Sequence, residues 1–262
     1  MNAQRAGENH SETEKNMPHQ QVNIATDDGI CPTDVYTPAD SGAWPAVIFH
    51  MDGLGIRPTL NLMAQRLADA GYVVLLPDLY YRAGPYGPLD PQEIFASGDV
   101  LKAIGHLFST TNPALVGKDS AFYLSYLDTR SDVAGKKIGT TGYCMGGAMS
   151  LATAASHPDR VAAAASFHGG GLATDASDSP HLLAPRIKAR VYVAGADQDP
   201  FYPPEMAERL EKALSDAHVD HRCEIYEGAL HGWTMADFPI YNQPAAERHW
   251  RELLGLFAAT LR

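Results

Sequence analysis

Positive charge is scarce in this chain: 20 Lys and Arg stand against 31 Asp and Glu in 262 residues, a formal net charge of −11. That deficit argues against nucleic acid or an anionic membrane as the main partner. Long apolar runs are missing too, and none approaches the roughly 20 residues that cross a bilayer. The first twenty residues, MNAQRAGENHSETEKNMPHQ, lack the apolar centre of a secretory signal and read as a polar, flexible arm over 1–20. A cytoplasmic protein is the expectation. Cysteine is sparse and odd in number, with Cys31, Cys144 and Cys223 widely separated. No CxxC or Cys/His spacing suggests zinc. Three unpaired thiols suit a reducing compartment. There is no GxxxxGK[ST], and the GGG at 169–171 follows a strand-like run without a phosphate-loop pattern. Neither a metal nor a cofactor is therefore expected. Internal repeats and Gly/Ser linkers are absent as well, so residues 21–262 read as one domain.

What is present is an ordinary globular share of hydrophobic residues, 45%, arranged in alternating blocks. Short, nearly continuous apolar runs at 46–49, 73–77, 137–141, 161–167 and 190–194 suit strands buried on both faces of a parallel sheet. Amphipathic stretches at 59–70, 92–109, 144–156, 204–217 and 244–261 predict helices between and after them. Earlier strands at 21–26 and 32–37 bracket Asp27-Asp28-Gly29, a hairpin turn. Strand–helix repetition after an antiparallel opening predicts an α/β fold with one mixed sheet and helices on both faces. A Gly/Pro loop at 82–90 follows a strand, a usual place for substrate contacts. The stretch 112–132 is where a small cap is expected, with a helix over 119–129; its Phe122, Tyr123 and Tyr126 read as packing groups.

The most informative segment is IGTTGYCMGGAM, 138–149. It runs strand, then Gly142-Tyr143-Cys144-Met145-Gly146, then helix, which is the G-x-S-x-G nucleophile elbow with cysteine in place of serine. The two glycines let a strained turn pass close to its neighbours and push the central side chain out. The amino end of the following helix favours a thiolate and a developing oxyanion. Cys31 and Cys223 lack such surroundings and read as structural thiols. An acid after a later strand and then a histidine should follow. Asp197 and Asp199 come after the run at 190–194, and His231 follows a strand expected at 221–226. Neutral His231 would take the thiol proton or hold the thiolate as an ion pair, and an aspartate would orient the ring.

These residues resemble the dienelactone hydrolase family of cysteine α/β-hydrolases. The resemblance runs from about Gln21 to the C-terminus and rests on HMDGLGIR (50–57), LLPDLYYR (75–82), GYCMGG (142–147), DPFYP (199–203) and HGW (231–233). It implies the α/β-hydrolase fold, mostly parallel with antiparallel N-terminal strands, and a triad of Cys144, Asp199 and His231, the DPFYP spacing favouring Asp199 over Asp197. It also implies an acidic residue near the thiol, Asp52 here, one methylene shorter than the family's glutamate. Oxyanion N–H groups would come from Met145 and Gly53. Of the two arginines that clamp a substrate carboxylate in dienelactone-cleaving members, the first corresponds to Arg82. The second position holds Met235, and a thioether cannot replace a bidentate guanidinium. A less anionic or larger substrate follows, in an aromatic pocket from Tyr81, Tyr86, Trp233 and Phe238. The reading is a hydrolase for small esters or lactones, working as a monomer or small homo-oligomer. The alternatives are an esterase or thioesterase of another substrate class, or a non-catalytic relative with an ordinary Cys144 thiol and a distant His231. A haloalkane-type dehalogenase would need aspartate at the elbow.

Overall fold

The computed structural model describes residues 19–262. The arm expected over 1–20 therefore lies outside the described residues, except that His19 and Gln20 already belong to the first strand. That strand, β1 (His19–Thr26), forms an antiparallel hairpin with β2 (Gly29–Tyr36). Gly29, with φ of +144°, supplies the positive dihedral that the Asp27-Asp28-Gly29 turn needs. β2 then pairs antiparallel with β4 (Val73–Pro77), and every later pairing is parallel. With β3 (Trp44–His50), β5 (Val133–Tyr143), β6 (Val161–Phe167), β7 (Arg190–Ala196) and β8 (His221–Tyr226), the order across the sheet is β1-β2-β4-β3-β5-β6-β7-β8. The mixed sheet expected from the sequence is present.

Period-2 alternation divides the side chains of each strand between two cores. Val47, Phe49, Val74 and Leu76 face a layer that includes α1 (Pro58–Asp69) and α7 (Gln243–Leu261). Ala46, Ile48, Val73 and Leu75 face the other layer, with α4 (Pro113–Asp128), α5 (Met145–Ser156) and α6 (Pro204–Asp216). Strand β4, read as a continuous apolar run, is buried at all five positions. The small side chains of α5 let that helix sit deep, and eleven of its twelve residues are buried.

Two expectations change. The helix expected over 92–109 is two, α2 (Pro91–Ala96) and α3 (Val100–Phe108), because Gly98 takes φ of +72° between them and Asp99 caps the second. The stretch 112–132 forms no cap. It starts α4, with Asn112 accepting from the Leu115 N–H at 2.9 Å, and the helix packs on α5 and β1. The segment that does cover the carboxyl edge of the sheet is α2–α3. It brings Ile94 and Ile104 onto Leu54 in a small satellite core beside Phe95, Phe108 and Phe238. No helix among the described residues is long and apolar enough to cross a membrane.

Candidate active site

Strand β5 ends at Tyr143 and α5 begins at Met145, so Cys144 alone makes the bend, at φ 54° and ψ −118°. A non-glycine residue held there costs of order 1–3 kcal/mol and persists only where its surroundings determine it. Here they do. The Cys144 N–H faces the Phe167 carbonyl at 3.1 Å and the His168 Nδ1 at 3.2 Å. Its carbonyl accepts from the Gly147 N–H at 3.0 Å and the Gly170 N–H at 3.4 Å. The flanking glycines are required by space. A Cβ on Gly142 would lie 1.8 Å from the Gly146 carbonyl oxygen, and one on Gly146 would lie 2.5 Å from the carbonyl oxygens of His50 and Met51. The sulfur is thereby presented at the amino end of a twelve-residue helix, where the dipole favours negative charge.

His231 stands beside it. Its Nδ1 lies 2.7 Å from the Asp199 Oδ2, while the Asp199 Oδ1 accepts the Phe201 N–H at 2.8 Å. Burial alone would lower the His231 pKa, but the negative charge and hydrogen bond of Cys144, with those of Asp199, push it up to about 10. The arrangement suits a thiolate–imidazolium pair. Asp197 does different work: its Oδ2 accepts the Gly228 N–H at 2.9 Å and its own N–H donates to the Ala229 carbonyl at 2.8 Å, tying the loop after β7 to the loop that carries His231.

Asp52 is buried and lines the cavity next to Cys144, but its carboxylate is committed to Arg57. Arg57 donates from both terminal nitrogens, at 2.7 and 2.8 Å, and its Nε donates to Asp237 at 2.7 Å. The Leu54 N–H takes part of Asp52 as well, at 2.9 Å. The carboxylate expected near the thiol is held by a buried guanidinium, whose two-pronged charged contact outcompetes a thiol as donor. Arg57 closes the HMDGLGIR stretch, yet spacing alone gave no reason to assign it a role. The Tyr80 hydroxyl donates to the Gly53 carbonyl at 2.9 Å and reaches the Met145 sulfur at 3.4 Å, bracing both residues expected to supply oxyanion N–H groups. His168 was also unforeseen. It is fully buried with φ of 38°, and its Nε2 faces the Thr234 hydroxyl at 2.7 Å. Because Nδ1 accepts from Cys144, the proton belongs on Nε2. Burial and the nearby His231 hold this imidazole well below its usual pKa, hence neutral.

A cavity of about 360 Å³ opens from Cys144 and His231. Its wall is built from Leu54, Phe95, Val100, Ile104, Phe108 and Phe238, with Phe201 beside the histidine. Apart from Cys144, His231 and Asp52, the lining side chains are apolar, and no arginine or lysine among the described residues lines it. Most of the expected substrate contacts lie elsewhere. Arg82 is held by Asp28 at 2.7 Å and Asp119 at 2.8 Å through its Nε and one terminal nitrogen and stacks over Tyr81, so two carboxylates and a ring fix its guanidinium outside the cavity at the thiol. The Tyr81 hydroxyl meets Thr26 at 2.8 Å, and the Tyr86 hydroxyl donates to Asp78 at 2.8 Å. Both tyrosines face a separate cavity of about 540 Å³ near the hairpin. Trp233 and Met235 are fully buried in the core, Trp233 stacked on Tyr226. Of the four aromatic residues expected to form the pocket, Phe238 alone lines it.

The sequence model of the dienelactone hydrolase family matches residues 32–261. A Synechocystis sp. protein named as a carboxymethylenebutenolidase is 29% identical, over 86% of this chain and 90% of its own length. An Escherichia coli K12 protein of the same name is 26% identical over 82% of this chain and 77% of its own length. Among solved structures, a Klebsiella pneumoniae protein described as a dienelactone hydrolase superposes with a TM-score of 0.79 at 24% identity, covering 92% of this chain and 98% of that one. A dienelactone hydrolase-like promiscuous phosphotriesterase from metagenomic libraries does so at 0.73 and 22%, covering 93% and 98%. Likeness at this identity shows the fold, and it is the α/β-hydrolase fold.

Proposed function

Since this chain belongs to the dienelactone hydrolase family, we propose that it hydrolyses small, largely uncharged esters or lactones through an acyl-enzyme on Cys144. The observation that carries the reading is a single geometry: a thiol lifted out at a strained bend, beside an imidazole that Asp199 holds at 2.7 Å, both opening into an apolar cavity. The thiolate attacks the carbonyl carbon. The N–H groups of Met145 and Gly53 receive the oxyanion, a contribution worth roughly 10²–10³-fold for each donor. His231 then passes its proton to the departing alkoxide as the carbon–oxygen bond breaks, leaving a thioester. Neutral His231 next takes a proton from water, the hydroxyl adds to the thioester, and collapse returns the thiolate and releases the carboxylic acid. Asp199 steadies the imidazolium and fixes the ring tautomer throughout.

The substrate class follows from the wall. An anionic acyl group would lose water on entry and meet no free cation, because Arg57 is already engaged by Asp52 and Asp237. Apolar or aryl esters and neutral lactones instead exchange water for Phe95, Ile104, Phe108 and Phe238. Activated esters and enol lactones are favoured, since a thiolate displaces a good leaving group easily. Incubation with a slowly turned-over aryl ester, followed by intact-protein mass spectrometry, should show one acyl adduct that maps to Cys144. Undiminished turnover by Cys144→Ala would sink the reading. A panel of lactones, aryl esters and thioesters separates the lactonase from the esterase and thioesterase alternatives.

A further inference from the structure

At the far edge of the sheet, away from the cavity, α6 lies against β8. Alternation along β8 sends His221 and Cys223 to the same face, toward Glu211 of the helix. One ligand atom from each of these three residues lies within 4.8 Å of the other two. The His221 Nε2 is 3.0 Å from the Glu211 Oε1, and its Nδ1 donates to the Val219 carbonyl at 2.7 Å. That second bond keeps a proton on Nδ1 and turns the other ring nitrogen toward Glu211 and Cys223, the orientation that outer hydrogen bonds give to metal-binding imidazoles. A further group points the same way. Tyr202 is 3% exposed, its hydroxyl has no hydrogen-bond partner among the described residues, and the ionisable groups that act on it are Cys223 and Glu211. A buried hydroxyl without a partner is costly, and a bound ion's water would give it one.

We propose that Glu211, His221 and Cys223 bind a divalent transition ion of the zinc type, with water in the remaining position and the Tyr202 hydroxyl bonded to that water. A thiolate, an imidazole and a carboxylate are the usual zinc donors, whereas calcium and magnesium take oxygen ligands. Binding releases two protons to solvent, one from the Cys223 thiol and one from the His221 Nε2, which faces the Glu211 carboxylate in the empty site. Sequence spacing does not show this set, because Glu211 and the two β8 residues meet through tertiary packing. The ion would clip α6 to the edge strand. The turn before α6 carries Asp199 and the loop after β8 carries His231, so the clip lies on the frame that holds both. It stands independently of the reaction assigned to Cys144.

The test uses the full chain carrying Cys144→Ser, so that the thiol at the bend cannot report, under reducing conditions without chelators. Added cobalt(II) should give near-ultraviolet thiolate-to-metal charge-transfer absorption that saturates at one equivalent. The signal should vanish in Cys144→Ser/Cys223→Ser, and affinity should fall about tenfold or more with His221→Gln. Zinc should raise the melting temperature of the Cys144→Ser protein and leave that of the double variant unmoved. No charge-transfer signal in Cys144→Ser, or its survival in the double variant, overturns the proposal. Should Cys223→Ser fold poorly, Glu211→Gln and His221→Gln serve the same purpose, and unchanged cobalt affinity in both overturns it equally.

Discussion

Cys144 and Cys31 belong to the same sheet, with two strands between theirs, yet they have almost nothing else in common. Cys31 sits inside β2 with regular dihedrals, fully buried; its sulfur meets the Tyr123 hydroxyl at 3.4 Å and the Asp78 carbonyl at 3.5 Å. Burial there pushes its pKa up to about 11. Cys144 sits one residue past the end of β5, partly exposed, at the head of a helix and beside a charged imidazole. The side chains are identical. What separates them is whether the backbone continues as a strand or turns, and that decision lies with Gly142 and Gly146, the positions where no Cβ fits.

The contrast is broken most directly by removing each sulfur. Cys144→Ala should lower kcat/KM by on the order of 10⁴-fold or more, while Cys31→Ala should leave it within about twofold and cost roughly 1 kcal/mol of stability by denaturant unfolding. The same split applies to the two aspartates after β7. Asp199→Asn should cost on the order of 10³–10⁴ in kcat, whereas Asp197→Asn, which weakens only a loop tie, should keep kcat and shift stability by about 1 kcal/mol. Arg57→Met tests the frame around the bend. It leaves the buried Asp52 unpaired and should destabilise the fold by about 3–5 kcal/mol, read by urea unfolding; an unchanged midpoint would remove Arg57 from the account. The mildest test is titration. Haloacetamide at neutral pH should label Cys144 well before Cys31, which is buried and has its pKa pushed up to about 11. His231 has its folded pKa raised from 6.5 to about 10, so its stabilising charge is fully present below 6.5 and is lost as pH rises through 10. The stability gap between wild type and His231→Gln should therefore shrink across that window, and kcat/KM should fall on its alkaline side.

Much of this was legible in the residues themselves. The elbow, the chain order of cysteine, aspartate and histidine, and the apolar strands at 73–77 and 161–167 are local patterns, and local patterns survive folding. Asp52 lines the cavity, and its partner Arg57 stands only five residues on, but spacing gave that arginine no role, and Asp237, which completes its pairing, comes from 180 residues away. The partners of Arg82 are likewise distant in sequence. Its fate depended on Asp28 and Asp119, which only the folded hairpin and α4 bring to it. The stretch 112–132 has the chain position at which a hydrolase could place a cap, and position alone does not show where a helix packs. Its aromatics Phe122, Tyr123 and Tyr126 sit on α4 and pack into the core, and the covering segment is the one that Gly98 breaks in two.

That covering segment has a consequence for diversification. The bend is anchored in β5 and α5, where nearly every neighbour is sealed, and its acid and histidine sit on the loops that leave β7 and β8. Four of the six apolar side chains of the opposing wall come from α2 and α3, a short excursion between β4 and β5 with its own satellite core. Chemistry and selectivity are thus carried by separable parts. On the proposed reaction, exchanging the excursion from Pro91 to Phe108 for another of different girth would retune which acyl groups enter, while Cys144 and His231 keep their places.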